Sequence, residues 1–455
     1  GKSGIEKSFD LKMRGRGAQR QVEVNALGRI IRKLPGEEIQ MGHDVKLTID
    51  VSLQSFSTKR LAQGNSVYIP VDDPRIQRAL SEGRNLPPGT DPVNGYVNFD
   101  YKGNVQAPES GAAVVMDAFN GDVLALASTP GFDPNSFSSG LNAADWENLL
   151  SNPRSPMTNK AVSGQYSPGS TFKMIVCLAA LEAGVAHQET KVKCSGMIEF
   201  GDSRFHCWKK DGHGWLNMID AIEQSCDVYL YELAKRVGIK RIGEMAARFG
   251  FGEAFNFGLP GENRGLIPTP AWKRKTFGQA WHAGETLITS IGQGFILCTP
   301  LQLAVMTSRL VNGGRPVLPR LMKNERAEIQ KRKSLQLSPQ HLHTVLKGMD
   351  KVVNGSQGTA RKVVDQSMKF QFGGKSGSVQ VKRISLDERE SGKLKNKDRP
   401  WHERDHAMFV AFAPLKSPRY VVSVVVEHGG GGSTMAAPIA RDILAEALRL
   451  NPCKL

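Results

Sequence analysis

Tyr166-Ser-Pro-Gly-Ser-Thr-Phe-Lys173 runs straight into the apolar stretch Met174-Ile-Val-Cys-Leu-Ala-Ala-Leu181, and this junction decides how the chain is read. The Pro168-Gly169 pair interrupts whatever precedes it and opens an apolar helix over 171–184. Ser170 and Lys173 stand three positions apart, so on a helix they share a face and the hydroxyl can meet the amine. A serine hydroxyl is a poor nucleophile until a base accepts its proton. Lysine can be that base when burial and neighbouring cations lower its pKa. The helix N-terminus adds free N–H groups and a positive dipole end where an oxyanion would form. Taken alone, the pair reads more readily as a capping serine and a snorkelling lysine.

Two further stretches bear on that choice. Ser225-Cys226-Asp227 lies early in a second helical stretch, where a Ser-x-Asp triplet by itself is an ordinary cap or turn. Lys375-Ser376-Gly377-Ser378 is flanked by alternating residues, Phe370 and Phe372 before it and Val379 and Val381 after it. A strand edge carrying a lysine, hydroxyls and a close-approach glycine can pair with an extended peptide and hold its carboxylate. Lys2-Ser3-Gly4 repeats the triplet without a strand around it and is set aside. Ser-x-x-Lys, Ser-x-Asp and Lys-Ser-Gly in this order match the pattern of serine penicillin-recognising enzymes.

Outward from these stretches, the periodicity gives the framework. Ala112–Met116 and Asp122–Ala127 are apolar runs joined by Asp117-Ala-Phe-Asn-Gly121, a tight hairpin. Helical patterns cover 51–63, 217–237, 240–249, 300–312 and 339–353, and Ala436–Leu450 closes the chain as an amphipathic helix. Met408–Ala413 and Tyr420–Val426 read as buried strands, Val22 and Val24 as part of a short one, and Lys46–Asp50 as another. A hairpin, then helices, then strands and a last helix make an α+β fold. Residues 64–108, rich in Gly, Pro, Asn and Asp, read as an inserted excursion with one short helix near 75–81, and Asn85–Pro92 excludes regular structure. Residues 382–406 read as a charged, mobile surface loop.

The chain has 455 residues, 40% of them hydrophobic, enough for a sizeable core and two or three domains. A net charge of +16 implies a polyanionic neighbour. The basic residues are dispersed and no finger, helix-turn-helix or aromatic RNA-binding signature occurs, which disfavours nucleic acid. No run of about eighteen apolar residues is present. The opening Gly1-Lys-Ser-Gly-Ile-Glu6 is no signal peptide, and the abrupt polar start suggests a piece of a longer protein.

The three stretches together resemble the class B penicillin-binding proteins, and within them the elongation-specific penicillin-binding protein 2 type. Gly1–Glu6 with Leu11–Gly15, Leu47–Asp50, Tyr166–Lys173, Ser290-Ile-Gly-Gln-Gly294 and Arg404-Asp-His-Ala407 extend the resemblance through nearly the whole chain. It implies a penicillin-binding protein/serine β-lactamase-like transpeptidase domain, an antiparallel sheet flanked by helices, over 51–455. Residues 1–50 would be the remnant of an N-terminal pedestal domain. It also implies a single-pass anchor, work at the periplasmic face of the bacterial inner membrane, and a role in cell elongation. The implied partners are peptidoglycan stem peptides, β-lactam antibiotics, a RodA-type glycan polymerase and elongation-complex scaffolds.

By the same resemblance Ser170 attacks the carbonyl between two terminal D-alanines and Lys173 takes its proton. Ser225, with Lys375, relays a proton to the departing D-alanine. Backbone N–H groups of Ser170 and Ser378 form the oxyanion hole, Ser376 and Ser378 hold the terminal carboxylate, and Gly377 allows close approach. Asp227 stands where the commoner motif has Asn, so a carboxylate replaces an amide donor at a substrate-binding position. Ser376 and Ser378 replace threonines and keep the hydroxyls. The rivals are a D,D-carboxypeptidase or β-lactamase, which pass the acyl group to water, and an idle β-lactam sensor or scaffold.

Cys194, Cys207, His213 and Cys226 follow one another at intervals of 13, 6 and 13. Three thiols and an imidazole make a good tetrahedral zinc set, and some relatives implied by the resemblance carry a structural zinc beside the active site. A Cys194–Cys207 disulfide and unrelated free thiols remain alternatives, and His206 competes with His213 as the imidazole. Cys177 and Cys298 read as buried apolar thiols and Cys453 as a tail residue.

Overall fold

The structure, a computed structural model, describes residues 3–17, 22–34, 40–64, 67–70, 74–82, 96–99, 105–106, 109–323, 334–364, 368–382, 396 and 399–451. The hairpin expected around Asp117–Gly121 forms from β1 (Gly111–Asp117) and β2 (Val123–Thr129). Gly121, at φ +79, lets the turn close. Three strands from the far end of the chain join it: β3 (Gly373–Val379), β4 (His406–Ala413) and β5 (Tyr420–Val426). The antiparallel order is β3-β4-β5-β1-β2, so β3, which carries the Lys-Ser-Gly stretch, is an edge strand.

Every residue of β1 and β5 is buried, because helices cover both faces of the sheet. Helices α1 (Val51–Gln63) and α7 (Ala437–Leu450) pack on each other and on the sheet, and α5 (Pro300–Val311) packs on β1, β4 and β5. The opposed faces can be read from β5 alone. Tyr420 Oη donates to Asn451 O past the end of α7, whereas Ser423 Oγ donates to Pro300 O at the start of α5. An odd separation along a strand puts two side chains on opposite faces. Helix α2 (Lys173–Glu182) is buried at nine of its ten positions and packs on α4 (Asp227–Arg248), while α3 (Met218–Glu223) packs on α6 (Pro339–Asn354).

Helices α1, α5, α6 and α7 and the five sheet strands match the sequence reading closely, and the α+β class stands. Three readings change. The pattern over 217–237 is two helices: the chain breaks at Gln224–Cys226, where Ser225 turns to φ +55, and resumes with Cys226 as N-cap of α4. Ser225 is thus between helices, not within one. The pattern over 240–249 continues α4 past a kink at Gly238. Lys46–Asp50 is not a strand; only Leu47 makes a bridge, to Met322, and Asp50 caps α1 by accepting from Leu53 N–H.

In the excursion 64–108 the short helix is present at Pro74–Ser81, beside an unforeseen small antiparallel sheet of Val67–Pro70, Tyr96–Phe99 and Val105–Gln106. Asn85–Pro92, Cys453, Lys2 and most of the 382–406 loop lie outside the described residues. The described end of that loop is a built turn, with a 3-10 helix at Trp401–Glu403 and Arg404 Nε donating to the carbonyl of buried Arg399. Val22–Val24 pairs with Ile30–Lys33 as a hairpin. Among the described residues no helix is long and apolar enough to cross a membrane.

Candidate active site

Ser170 sits in a 3-10 turn, Gly169–Phe172, that leads into α2. In such a turn residues i and i+3 eclipse, which keeps Ser170 and Lys173 on one side. Ser170 is the partly exposed member of a turn whose other three residues are buried. The turn is held from two directions. Gly169 N–H donates to Gly292 O at 2.9 Å, so the Ser290–Gly294 stretch cradles it from behind. A Cβ on Gly169 would stand 2.9 Å from Val379 Cγ2, so on the other side the turn leans on the end of β3.

The three separated stretches converge on one hydroxyl. Lys173 Nζ donates to Ser225 Oγ at 3.2 Å and to Ser225 O at 2.8 Å. Lys375 Nζ, from β3, donates to the same Oγ at 3.0 Å and to Ser376 O at 3.0 Å. Both lysine side chains are fully buried. A hydroxyl has two lone pairs and one proton; with both lone pairs taken by amines, the Ser225 proton is free for a third group. Burial, reinforced by the Lys173 charge and opposed by Asp227, holds the Lys375 pKa well below that of an ordinary lysine.

Asp227 was expected to face substrate, yet both of its oxygens are engaged within the protein. Oδ1 accepts from Lys173 Nζ at 2.7 Å and Oδ2 from the Trp208 N–H at 2.9 Å. Burial raises its pKa against the opposing pull of Lys173. The carboxylate thus engages Lys173 and the Trp208 main chain within the protein.

Along β3, Ser376 Oγ lies 3.1 Å from Thr359 Oγ1, and Ser378 Oγ accepts from Gly432 N–H at 3.1 Å. A Cβ on Gly432 would fall 2.2 Å from Gly377 O. That strand is therefore pinned between the Ser170 turn and the Gly429–Gly432 segment, and among the described residues no sixth strand pairs with its outer edge. Thr359 and Gly432 were not singled out from sequence; the four consecutive glycines at 429–432 were the available signal.

Tyr166 Oη donates to Glu427 Oε1 at 2.8 Å, and Ser110 Oγ to Glu427 Oε2 at 2.5 Å. Beside them His406 Nδ1 accepts from His428 N–H at 2.9 Å. An accepting nitrogen carries no proton, in keeping with burial, then the His428 charge, holding the His406 pKa down to about 4 against the pull of Glu427.

Below Ser225, Cys194 Sγ, Cys207 Sγ, Cys226 Sγ and a ring nitrogen of His213 lie within 4.8 Å of one another. His213 Nδ1 stands 3.5 Å from Cys194 Sγ and 3.6 Å from Cys207 Sγ, and His206 is not part of the group. Cys194 and Cys207 are free thiols, which removes the disulfide alternative, and Cys177 and Cys298 are buried as expected. Hydrogen bonding from Cys226 lowers the pKa of Cys207 strongly and that of Cys194 to about 6 despite burial, while Cys226 is pushed up. Three thiols around one imidazole, two of them with lowered pKa, fit a tetrahedral zinc ion in donor type and spacing.

Comparison with known proteins agrees with this geometry. The penicillin-binding protein transpeptidase domain matches residues 111–445, and the penicillin-binding protein dimerisation domain matches residues 1–47. The chain is 33% identical over 454 residues to a peptidoglycan D,D-transpeptidase MrdA of Haemophilus influenzae and 32% identical over 455 residues to that of Escherichia coli K12. These alignments cover 98% of this chain and 62% and 64% of the relatives, so the chain spans somewhat under two thirds of their length. Among solved structures, the complex of PBP2 with MreC from Helicobacter pylori superposes with a TM-score of 0.80 at 29% identity, covering 100% of this chain and 73% of that one. Pseudomonas aeruginosa PBP2 in complex with WCK 5153 gives 0.76 at 32%, covering 98% and 82%.

Proposed function

The chain belongs to the penicillin-binding protein transpeptidase family, and from that premise we propose that it is a peptidoglycan D,D-transpeptidase acting through an acyl-enzyme on Ser170. The observation that carries the reading is the Ser225 hydroxyl held by two buried amines, 3.2 Å from Lys173 and 3.0 Å from Lys375, beside an open strand edge. A stem peptide ending in D-alanyl-D-alanine adds to that edge as an extended strand. Ser376 and Ser378 hold its terminal carboxylate, and the absence of a Cβ at Gly377 keeps the strand close to the Ser170 turn.

Ser170 Oγ bonds to the penultimate carbonyl carbon as Lys173 takes its proton, and the N–H groups of Ser170 and Ser378 receive the developing oxyanion. The carbon–nitrogen bond then breaks as Ser225, backed by Lys375, passes its proton to the departing D-alanine amine and takes in exchange the proton that Lys173 removed from Ser170. The amine of a second stem peptide attacks the ester, forms the cross-link and returns the proton to Ser170. A β-lactam enters the same sequence and stops at the ester.

Residues 1–50 are assigned as the end of a pedestal domain, supported by the match at 1–47, and 51–455 as the catalytic domain with 64–108 inserted. By likeness to the relatives, the protein works on peptidoglycan at the periplasmic face of the inner membrane during cell elongation, beside a RodA-type polymerase and scaffold proteins such as the MreC bound to the H. pylori structure. Cys194, Cys207, Cys226 and His213 Nδ1 would hold a structural zinc. When bound, the ion ties the strands around 194 and 207 to the N-terminus of α4 and takes no part in acyl transfer.

Intact-mass spectrometry after benzylpenicillin treatment tests the central claim. One stoichiometric adduct is expected on the wild type and none on Ser170→Ala; an adduct that survives in Ser170→Ala overturns the assignment. Nitrocefin separates the rivals, since trapping after one turnover marks a transpeptidase and sustained hydrolysis a lactamase.

A further inference from the structure

Trp208 has no part in the steps above, yet it grips the turn that presents Ser225 at several points. Its indole N–H donates to the carbonyls of Gln224 and Ser225, both at 3.1 Å, and its main-chain N–H donates to Asp227 Oδ2 at 2.9 Å. The Ser225 carbonyl it holds is the oxygen that Lys173 Nζ also holds at 2.8 Å, and Asp227 carries Lys173 on its other oxygen. One residue earlier, Cys207 Sγ accepts the Asp227 N–H at 3.4 Å. The indole stands edge-on to His213 with ring centroids 5.4 Å apart, which backs it against the thiol cluster.

This side chain is nevertheless 59% exposed, so burial does not explain why an indole is placed here. Ser225 supplies a reason. It is a non-glycine residue at φ +55, a strained conformation that persists where its surroundings over-determine it. Within the turn, the Ser225 Oγ must stay in reach of two amines arriving from different elements. Lys173 Nζ and the indole N–H both hold the Ser225 carbonyl.

We propose that Trp208 is a positioning residue for acyl transfer: its indole N–H fixes the Ser225 carbonyl and thereby keeps the Ser225 hydroxyl between Lys173 and Lys375. The inference rests on the transpeptidase reading. It concerns the hydrogen-bond donor of the indole and not its ring, so the donor can be removed while the shape is kept.

Two variants separate these, Trp208→Phe and the replacement of Trp208 by 3-benzothienylalanine, an isostere with sulfur in place of N–H. Stopped-flow acylation by nitrocefin resolves the dissociation constant of the encounter complex from the acylation rate constant. Both variants are expected to lose roughly 10- to 100-fold in the rate constant, the range that follows from slight misplacement of a reacting group, with dissociation constant, metal content and melting temperature unchanged in the isostere. Trp208 reintroduced by the same suppression system restores the rate. An unchanged rate constant in the isostere overturns the proposal. So does a weakened encounter complex with an unchanged rate, which would make the ring a ligand contact. A wild type that nitrocefin does not acylate at Ser170 would instead remove the transpeptidase reading beneath it.

Discussion

Ser225 concentrates the chemistry in one hydroxyl, and its neighbours state what its loss should do. Ser225→Ala leaves Lys173 and Lys375 facing each other without the oxygen that accepts from both. Proton transfer by a positioned group is worth roughly 10²–10⁴-fold; penicillin acylation of the variant is expected to slow within that range while circular dichroism is unchanged. His406 gives a prediction in pH. Its native pKa is about 4, against about 6.5 in an unfolded chain. Between those values the unfolded chain binds a proton that the native protein does not, so this contribution is complete above pH ~6.5 and is lost as pH falls toward 4. Up to about 3 kcal/mol is at stake at 1.4 kcal/mol per unit. His406→Gln keeps an acceptor for the His428 N–H, and its melting temperature should fall less between pH 7.5 and 4.5 than that of the wild type. An equal fall would assign the acid sensitivity elsewhere.

At the scale of elements, α5 is the clearest case of a helix specified by its ends. Thr299 and Gln302 form a capping box, with Gln302 Oε1 accepting the Thr299 N–H at 2.9 Å. Gln302 Nε2 also donates to Glu253 O at 2.9 Å and Arg264 O at 2.8 Å. Gln302→Ala leaves the buried Thr299 N–H and the part-buried Glu253 and Arg264 carbonyls without this partner, at a cost of about 1–3 kcal/mol, to be read as a lower denaturant midpoint with an unchanged slope. Thr299-Pro300 announces this helix in the sequence, as Thr269-Pro270 announces Pro270–Phe277, which was nevertheless missed because its eight residues are mostly exposed and lack an apolar period. The break between α3 and α4 was illegible for a different reason. Its cause is tertiary: Cys226 caps α4 through Sγ while sharing the cluster with Cys194 and Cys207. Stripping metal with a chelator should therefore lower the melting temperature and the acylation rate together, since the same segment carries Ser225. If both were unchanged, zinc would have no place here.

Over the whole molecule, the legible part was what periodicity and side-chain chemistry encode. The five sheet strands, the long helices and the meeting of Lys173, Ser225 and Lys375 fall in that class. The orientation of Asp227 did not, because residue type cannot tell an acid facing substrate from one turned on a lysine. Nor did the small sheet within 64–108, whose two- to four-residue strands are too short to show alternation. The edge position of β3 follows from strand order, which joins the β1–β2 hairpin to β5, Asp117 pairing with Tyr420. That order has a consequence for how the protein matures. Lys173 and Lys375 reach their shared oxygen from widely separated stretches of the sequence, so a nascent chain released before β5 is synthesised is expected not to react with a penicillin. Fluorescent penicillin becomes a reporter of complete folding: across a urea titration its covalent labelling should vanish in step with far-ultraviolet ellipticity, and a chain ending at residue 368 should stay dark.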